Sequence, residues 1–195
     1  GYTICSGSHD KTIRMWDIET TKQLNVFKGH TDFVRSVKYG SNELINTILS
    51  GSFDKSICLW DIRSCQSIQE FYGHRDFVNV VEYSPFVIKN SEFGGNSNVI
   101  CSGSSDNTIS FWDIRSNKEE LYIINGNCED KGIICVKFLQ LKRMKRKEKA
   151  MMTLAVVLIC VTVHMGGLFV FIDKEDILLT DFTLNELNKM KLIQI

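Results

Sequence analysis

The sequence has no excess of either charge. Its 195 residues hold 23 Lys and Arg against 23 Asp and Glu, so no global field draws the molecule toward nucleic acid or a membrane surface. No secretory signal precedes the first repeat, and residue 1 is Gly rather than Met; the start reads as internal to a longer polypeptide. None of the seven cysteines falls in a C-x-x-C pair, and their number is odd. A disulfide framework needs an oxidising compartment, which nothing here signals. The cysteines therefore read as reduced and structural, and the chain as intracellular, in the cytoplasm or alternatively the nucleus. Proline occurs once and histidine four times. No catalytic constellation and no metal-ligand set is visible, and no cofactor is expected.

What the sequence does have is repetition. Ile48–Arg63 reads ILSGSFDKSICLWDIR, Ile4–Ile18 reads ICSGSHDKTIRMWDI, and Ile100–Arg115 reads ICSGSSDNTISFWDIR. Trp16 and Trp60 are 44 residues apart, and Trp60 and Trp112 are 52 apart. His30 of Gly29-His30 and His74 of Gly73-His74 each lie 14 residues beyond a tryptophan. A Gly-His, a variable stretch and a Trp-Asp at a period of about forty mark a four-stranded propeller blade. The sequence resembles the WD-repeat family of β-propellers, specifically from Ile4 to about Val136. The resemblance implies an all-β fold: a propeller segment of three to four antiparallel four-stranded blades in an incomplete ring.

The strands are also legible from pattern alone. Phe33–Tyr39 and Phe77–Tyr83 alternate apolar and polar residues, as half-buried strands do. Thr47–Ser52 and Val99–Ser104 follow, then Ser56–Asp61 and Thr108–Asp113, then Gln66–Phe71 and Lys118–Ile124. Turn chemistry at Asp54-Lys55, Asp106-Asn107 and Gly40-Ser41-Asn42 separates them. Residues 2–27 supply three strands of a blade whose first strand is missing. Pro85–Asn98 is expected to be a surface loop. Cys5 and Cys101 occupy the same place in their repeats and should be small buried hydrophobes.

Residues 1–139 thus form the blades and 140–150 a basic linker or insertion. Residues 151–180 form a degenerate blade or a membrane helix, and 181–195 a tail with a possible helix start at Thr183-x-x-Glu186. Met151–Ile172 is uncharged throughout, which suits a transmembrane helix behind a basic flank. The same stretch is rich in Val, Ile, Thr and Phe, which suits a worn repeat. In that alignment Cys160 matches Cys5 and Phe171 matches Trp16. Lys142–Lys149 lacks interleaved aromatics, so no nucleic-acid partner is expected.

An isolated reading of His, Asp and Ser would suggest a nucleophilic triad. Repetition argues otherwise, since an active site needs no second copy at a fixed period. The resemblance implies instead a hydrogen-bonded structural network. One set is His30, Ser50 or Ser52, Asp54 and Trp60; the next is His74, Ser102 or Ser104, Asp106 and Trp112; the first repeat retains Asp10 and Trp16. Candidate partner-binding residues are Phe33 and Phe77, expected near the mouth of the propeller just after Gly-His, and positions where the copies differ, Arg35 against Asn79 and Phe53 at the turn. The expected function is a non-enzymatic scaffold for other proteins or peptides. One alternative rests on Arg63 and Arg115, which give W-D-x-R in consecutive repeats. This resembles substrate receptors of cullin-RING ubiquitin ligases, in which such arginines contact the ligase adaptor. A further alternative is a scaffold tethered to a membrane through Met151–Ile172. The incomplete ring implies a fragment of a larger one, or a chain that completes its ring with another copy.

Overall fold

The computed structural model describes residues 2–40, 44–90, 95–115, 120–126, 130–141, 155–164 and 167–172. Every regular element in it is a β-strand. β1 (Thr3–Gly7), β2 (Thr12–Asp17) and β3 (Gln23–Lys28) form the first sheet. β4 (Val34–Tyr39), β5 (Thr47–Ser52), β6 (Ser56–Asp61) and β7 (Ser67–Tyr72) form the second, in chain order. β8 (Val78–Asn90), β9 (Gly95–Ser104), β10 (Thr108–Asp113) and β11 (Glu120–Asn125) form the third. β12 (Asp130–Leu141), β13 (Ala155–His164) and β14 (Gly167–Ile172) form the fourth. All pairings are antiparallel meanders, and the described series does not close into a ring.

The core lies between blades rather than within one. Side chains alternate across a strand, so each inner blade packs a different set on each face. From β5 and β6, Ile48, Cys58 and Trp60 join Ile13, Met15 and Phe27 of the first blade. Their neighbours Leu49, Ile57 and Leu59 join Val78, Val81, Ile100 and Trp112 of the third. Val80, Cys101 and Phe111 face Ile133 and Val136 of the fourth. Glycine permits this close approach. A Cβ on Gly51 would sit 2.7 Å from Val78 Cγ1, and one on Gly103 would sit 2.5 Å from Ile133 Cγ2.

Four expectations need correction. Pro85–Asn98 is not an irregular loop. β8 and β9 extend past the blade as a ladder, with Val87 opposite Asn98 and Asn90 opposite Gly95, beyond a register break after Tyr83; residues 91–94 lie outside the described set. Residues 155–164 and 167–172 are strands, not a helix, and no described helix is long and apolar enough to cross a membrane. Their register also departs from the alignment. Phe171 pairs with Cys160, whereas Trp16 pairs with Ile4, one residue before Cys5. His164 opposite Gly167 closes a much tighter hairpin than the turn in the other blades. Cys101 is fully buried but Cys5 only half-buried, because no sheet among the described residues covers one side of the first blade. The Lys142–Lys149 run, Met151 and the Thr183-x-x-Glu186 motif lie outside the described residues.

Candidate functional site

Each Trp-Asp blade begins as a local turn. Ser52 Oγ accepts from Asp54 N at 3.1 Å, and Asp54 Oδ1 accepts from Ser56 N at 3.0 Å and from the Ser56 hydroxyl at 2.6 Å. Ser104, Asp106 and Thr108 repeat the arrangement, and so do Ser8, Asp10 and Thr12. The residue after each Asp is left-handed: Lys11 at φ 70°, Lys55 at 70° and Asn107 at 65°. An aspartate that bonds its own backbone two residues on is a local turn device.

The turn then meets a histidine from far along the chain. His30 Nδ1 lies 2.8 Å from Asp54 Oδ2, and His30 Nε2 lies 2.7 Å from Ser50 Oγ. Trp60 Nε1 donates to the same Ser50 oxygen at 2.8 Å. An ionised carboxylate only accepts, so Nδ1 donates to Asp54 and Nε2 accepts from the Ser50 hydroxyl. His74, Asp106, Ser102 and Trp112 match this at 3.0, 2.7 and 2.9 Å. Burial works to raise the Asp54 and Asp106 carboxyls, but hydrogen bonds from the histidine and the Ser56 or Thr108 hydroxyl hold both well below the usual carboxylate range. Of each Ser-Gly-Ser, the first serine joins the histidine. The second caps the turn and donates to the Asp32 or Asp76 carbonyl.

This relay has the connectivity of a Ser-His-Asp triad, yet the geometry withholds it from substrate. Ser50 and Ser102 are 0% exposed, and each hydroxyl oxygen is already held by an indole N–H. A nucleophile must be reachable, and these are sealed between blades.

Sequence reasoning missed two recurring positions. Ser56 and Thr108 also approach the histidine, at 3.2 and 3.1 Å from Nδ1. The aspartates of Trp-Asp cap the next turn: Asp17 accepts from Glu19 N, Asp61 from Arg63 N, and Asp113 from Arg115 N. The signal was present, since a hydroxyl stands two residues after each turn aspartate and an aspartate follows each of these tryptophans.

The candidate partner-contact positions assemble at the opposite end of β6 from that cap. His9 stacks on Phe33 with ring centroids 4.1 Å apart, Phe33 lies 5.8 Å from Phe53, and Phe53 stacks on Phe77 at 4.3 Å. Four rings thus form one line across three blades. The Arg35 guanidinium lies 6.0 Å from the Phe53 ring centroid. The line ends at Phe77, which is 37% exposed, because the next turn carries Ser105 in place of an aromatic.

The family model described as "WD domain, G-beta repeat" matches residues 1–17, 21–61 and 65–113. These segments are the same units that the turn, indole and serine geometry defines. The chain belongs to the WD-repeat family. It is also similar to Cell division control protein 4 of Saccharomyces cerevisiae, with 33% identity over 140 residues, a match that takes in 66% of this chain. The chain spans 18% of the length of that relative.

Within this WD-repeat chain the remaining candidates divide. Asn79 is occupied structurally: its amide donates to Ser105 Oγ at 2.8 Å and to the Ile133 carbonyl at 3.0 Å, tying the third blade to the fourth. Arg63 and Arg115 are exposed and stand at equivalent corners of neighbouring blades. No ion pair engages either guanidinium among the described residues.

Proposed function

We propose that this chain is a protein-interaction module whose contact surface is the aromatic line His9, Phe33, Phe53 and Phe77 with Arg35 beside it. WD-repeat proteins are generally scaffolds, and the observation that supports this surface is the stack itself. Rings held against one another lose little freedom when a partner covers them, and aromatic and Arg side chains are the usual anchors of protein contacts. The partner is a protein or peptide. The test is quantitative affinity capture with the parent chain and with a Phe53→Ala/Phe77→Ala variant of unchanged circular dichroism. The expected result is a set of proteins held by the parent and lost by the variant; identical sets sink the reading.

A second reading has its own support. Arg63 and Arg115 stand at matching corners of adjacent blades, at the end remote from the aromatic line, and neither guanidinium is in an ion pair among the described residues. Such a pair suits the adaptor of a cullin-RING ubiquitin ligase and leaves the aromatic end for a substrate. A pulldown with that adaptor decides it. If Arg63→Ala plus Arg115→Ala is retained as well as the parent, the receptor reading fails.

A further inference from the structure

The aromatic line stops at a gap that its own repeat geometry defines. Phe33 has two ring neighbours, His9 at 4.1 Å and Phe53 at 5.8 Å. Phe77 is its counterpart one blade on. The Phe77 carbonyl accepts from Ser105 N at 2.9 Å, as the Phe33 carbonyl accepts from Phe53 N, so Ser105 stands in the place of Phe53. Phe77 accordingly has one ring neighbour among the described residues, Phe53, and is exposed where Phe33 is half-buried. The line has no ring at its next position either. Ile133 lies against Gly103 as Val78 lies against Gly51, which puts Gly132 where Phe77 stands. Gly132 is buried with φ at 102°, and a Cβ on it would sit 2.6 Å from Ser105 Cα, so no side chain fits there. Residues 127–131, NCEDK, contain no aromatic. The ring pair present at two blade junctions, as His9–Phe33 and Phe53–Phe77, is thus missing at the third. The floor of the gap is fixed: Ser105 Oγ accepts from the Asn79 amide at 2.8 Å, and the same amide donates to the Ile133 carbonyl at 3.0 Å.

The side of Phe77 toward the second blade is electropositive. Arg35, Lys55 and Arg75 are exposed, and no ion pair engages them among the described residues. Lys55 Nζ donates to the Arg75 carbonyl at 2.8 Å, so these two cations are neighbours. The carboxylates at this end are committed elsewhere. Asp54 and Asp106 hold the histidines, while Asp32 and Asp76 accept from Phe33 N and Phe77 N.

We infer that the gap beside Phe77, above Ser105 and Gly132, receives an aromatic side chain from a partner peptide, with a carboxylate next to that ring reaching Arg75 and Lys55. The ring is identified by the chain itself, which places one at the equivalent position beside Phe33. The carboxylate is identified by the cations that lack one. Aromatic pairs in stacked or tilted contact are worth more than the area they bury, so the gap selects a ring over an aliphatic side chain of similar size. The inference rests on the aromatic-line reading and names the side chain which that surface takes.

The probe is the synthetic peptide GDEFDG, titrated into the full chain carrying 4-fluorophenylalanine and followed by fluorine NMR. The expected result is a saturable shift that is largest at Phe77. GDELDG should bind about threefold more weakly or worse, since the ring contact is lost. GNQFNG should also bind about threefold more weakly at low salt, with the difference vanishing at high salt. Ser105→Phe supplies the missing ring from the chain and should abolish binding, whereas Ser105→Ala leaves the gap open and should retain it. The peptide substitutions leave the chain untouched and decide the matter even if Ser105→Phe fails to fold. No saturable shift, equal binding of GDELDG, or full binding by a folded Ser105→Phe chain overturns the proposal. A saturable shift centred on Phe53 that Ser105→Phe leaves unchanged overturns it too, but keeps the aromatic line as a contact surface. That wider reading falls on its own test, when Phe53→Ala/Phe77→Ala retains every captured protein.

Discussion

The first and second blades carry nearly the same residues, ICSGSHDKTIRMWDI against ILSGSFDKSICLWDI, in very different surroundings. In β6 five successive residues, Ser56 to Trp60, are buried. In β2 burial alternates, with Ile13 and Met15 inside and Arg14 and Trp16 only half-covered. The difference is one of neighbours. Among the described residues the second blade has a sheet on each face, and the first has one. The same tryptophan is therefore fully buried in one place and half-covered in another. A repeat motif specifies a turn and a hydrogen-bond geometry, while position in the array decides how much stability that geometry contributes.

Truncating the two tryptophans should break the blades apart most widely. Trp60→Ala removes a side chain 1% exposed and packed against Phe27 and His30, and should cost about 3–5 kcal/mol in urea unfolding. Trp16→Ala should cost about 1 kcal/mol. Equal losses would mean that the open face is covered in solution.

The polar network gives the next contrast. His30→Ala strands Asp54 and Ser50 between blades and should cost about 2–3 kcal/mol. Asp10→Ala, at an exposed ion pair, should leave the unfolding midpoint nearly unchanged. A His30→Ala protein as stable as the parent would show that the relay is idle.

Acid sharpens the same comparison. Asp54 and Asp106 titrate below their unfolded values, so their contribution is present above about pH 4, the unfolded carboxylate value, and is lost as pH falls below it. The melting temperature of the parent should therefore drop steeply under acid. Asp54→Asn/Asp106→Asn should start lower and flatten that slope; an unchanged slope would place the acid sensitivity elsewhere.

The smallest effect is expected at the remote corners. Arg63→Ala/Arg115→Ala should leave the unfolding midpoint within about 0.5 kcal/mol of the parent. A larger loss would make these arginines structural rather than available to a partner.

Much of this was legible in the chain, for a definite reason. β5, β6 and β10 fall on the boundaries that their pattern marks, because period-two alternation and the Ser-x-Asp-x-Ser/Thr turn are satisfied within a few residues. The turn at Asp10 forms as the turn at Asp54 does, with or without a histidine nearby. Contacts spanning longer separations were not legible. Which serine of Ser50-Gly51-Ser52 meets His30 depends on how a segment 20 residues away crosses the blade. The Pro85–Asn98 insertion looked irregular because its polar composition hides a ladder made by pairing with itself. Residues 155–172 were ambiguous because an uncharged run suits a bilayer and a sheet equally, and only the register with β12 resolves it. The sequence by itself determined the turns, the strand rhythm and the family. Tertiary structure alone decided which faces are covered, because covering a face takes a neighbour and the motif does not encode whether one is there. Among the described residues Ser6, Asp10 and Trp16 of the first blade are accordingly less covered than Ser50, Asp54 and Trp60 of the second.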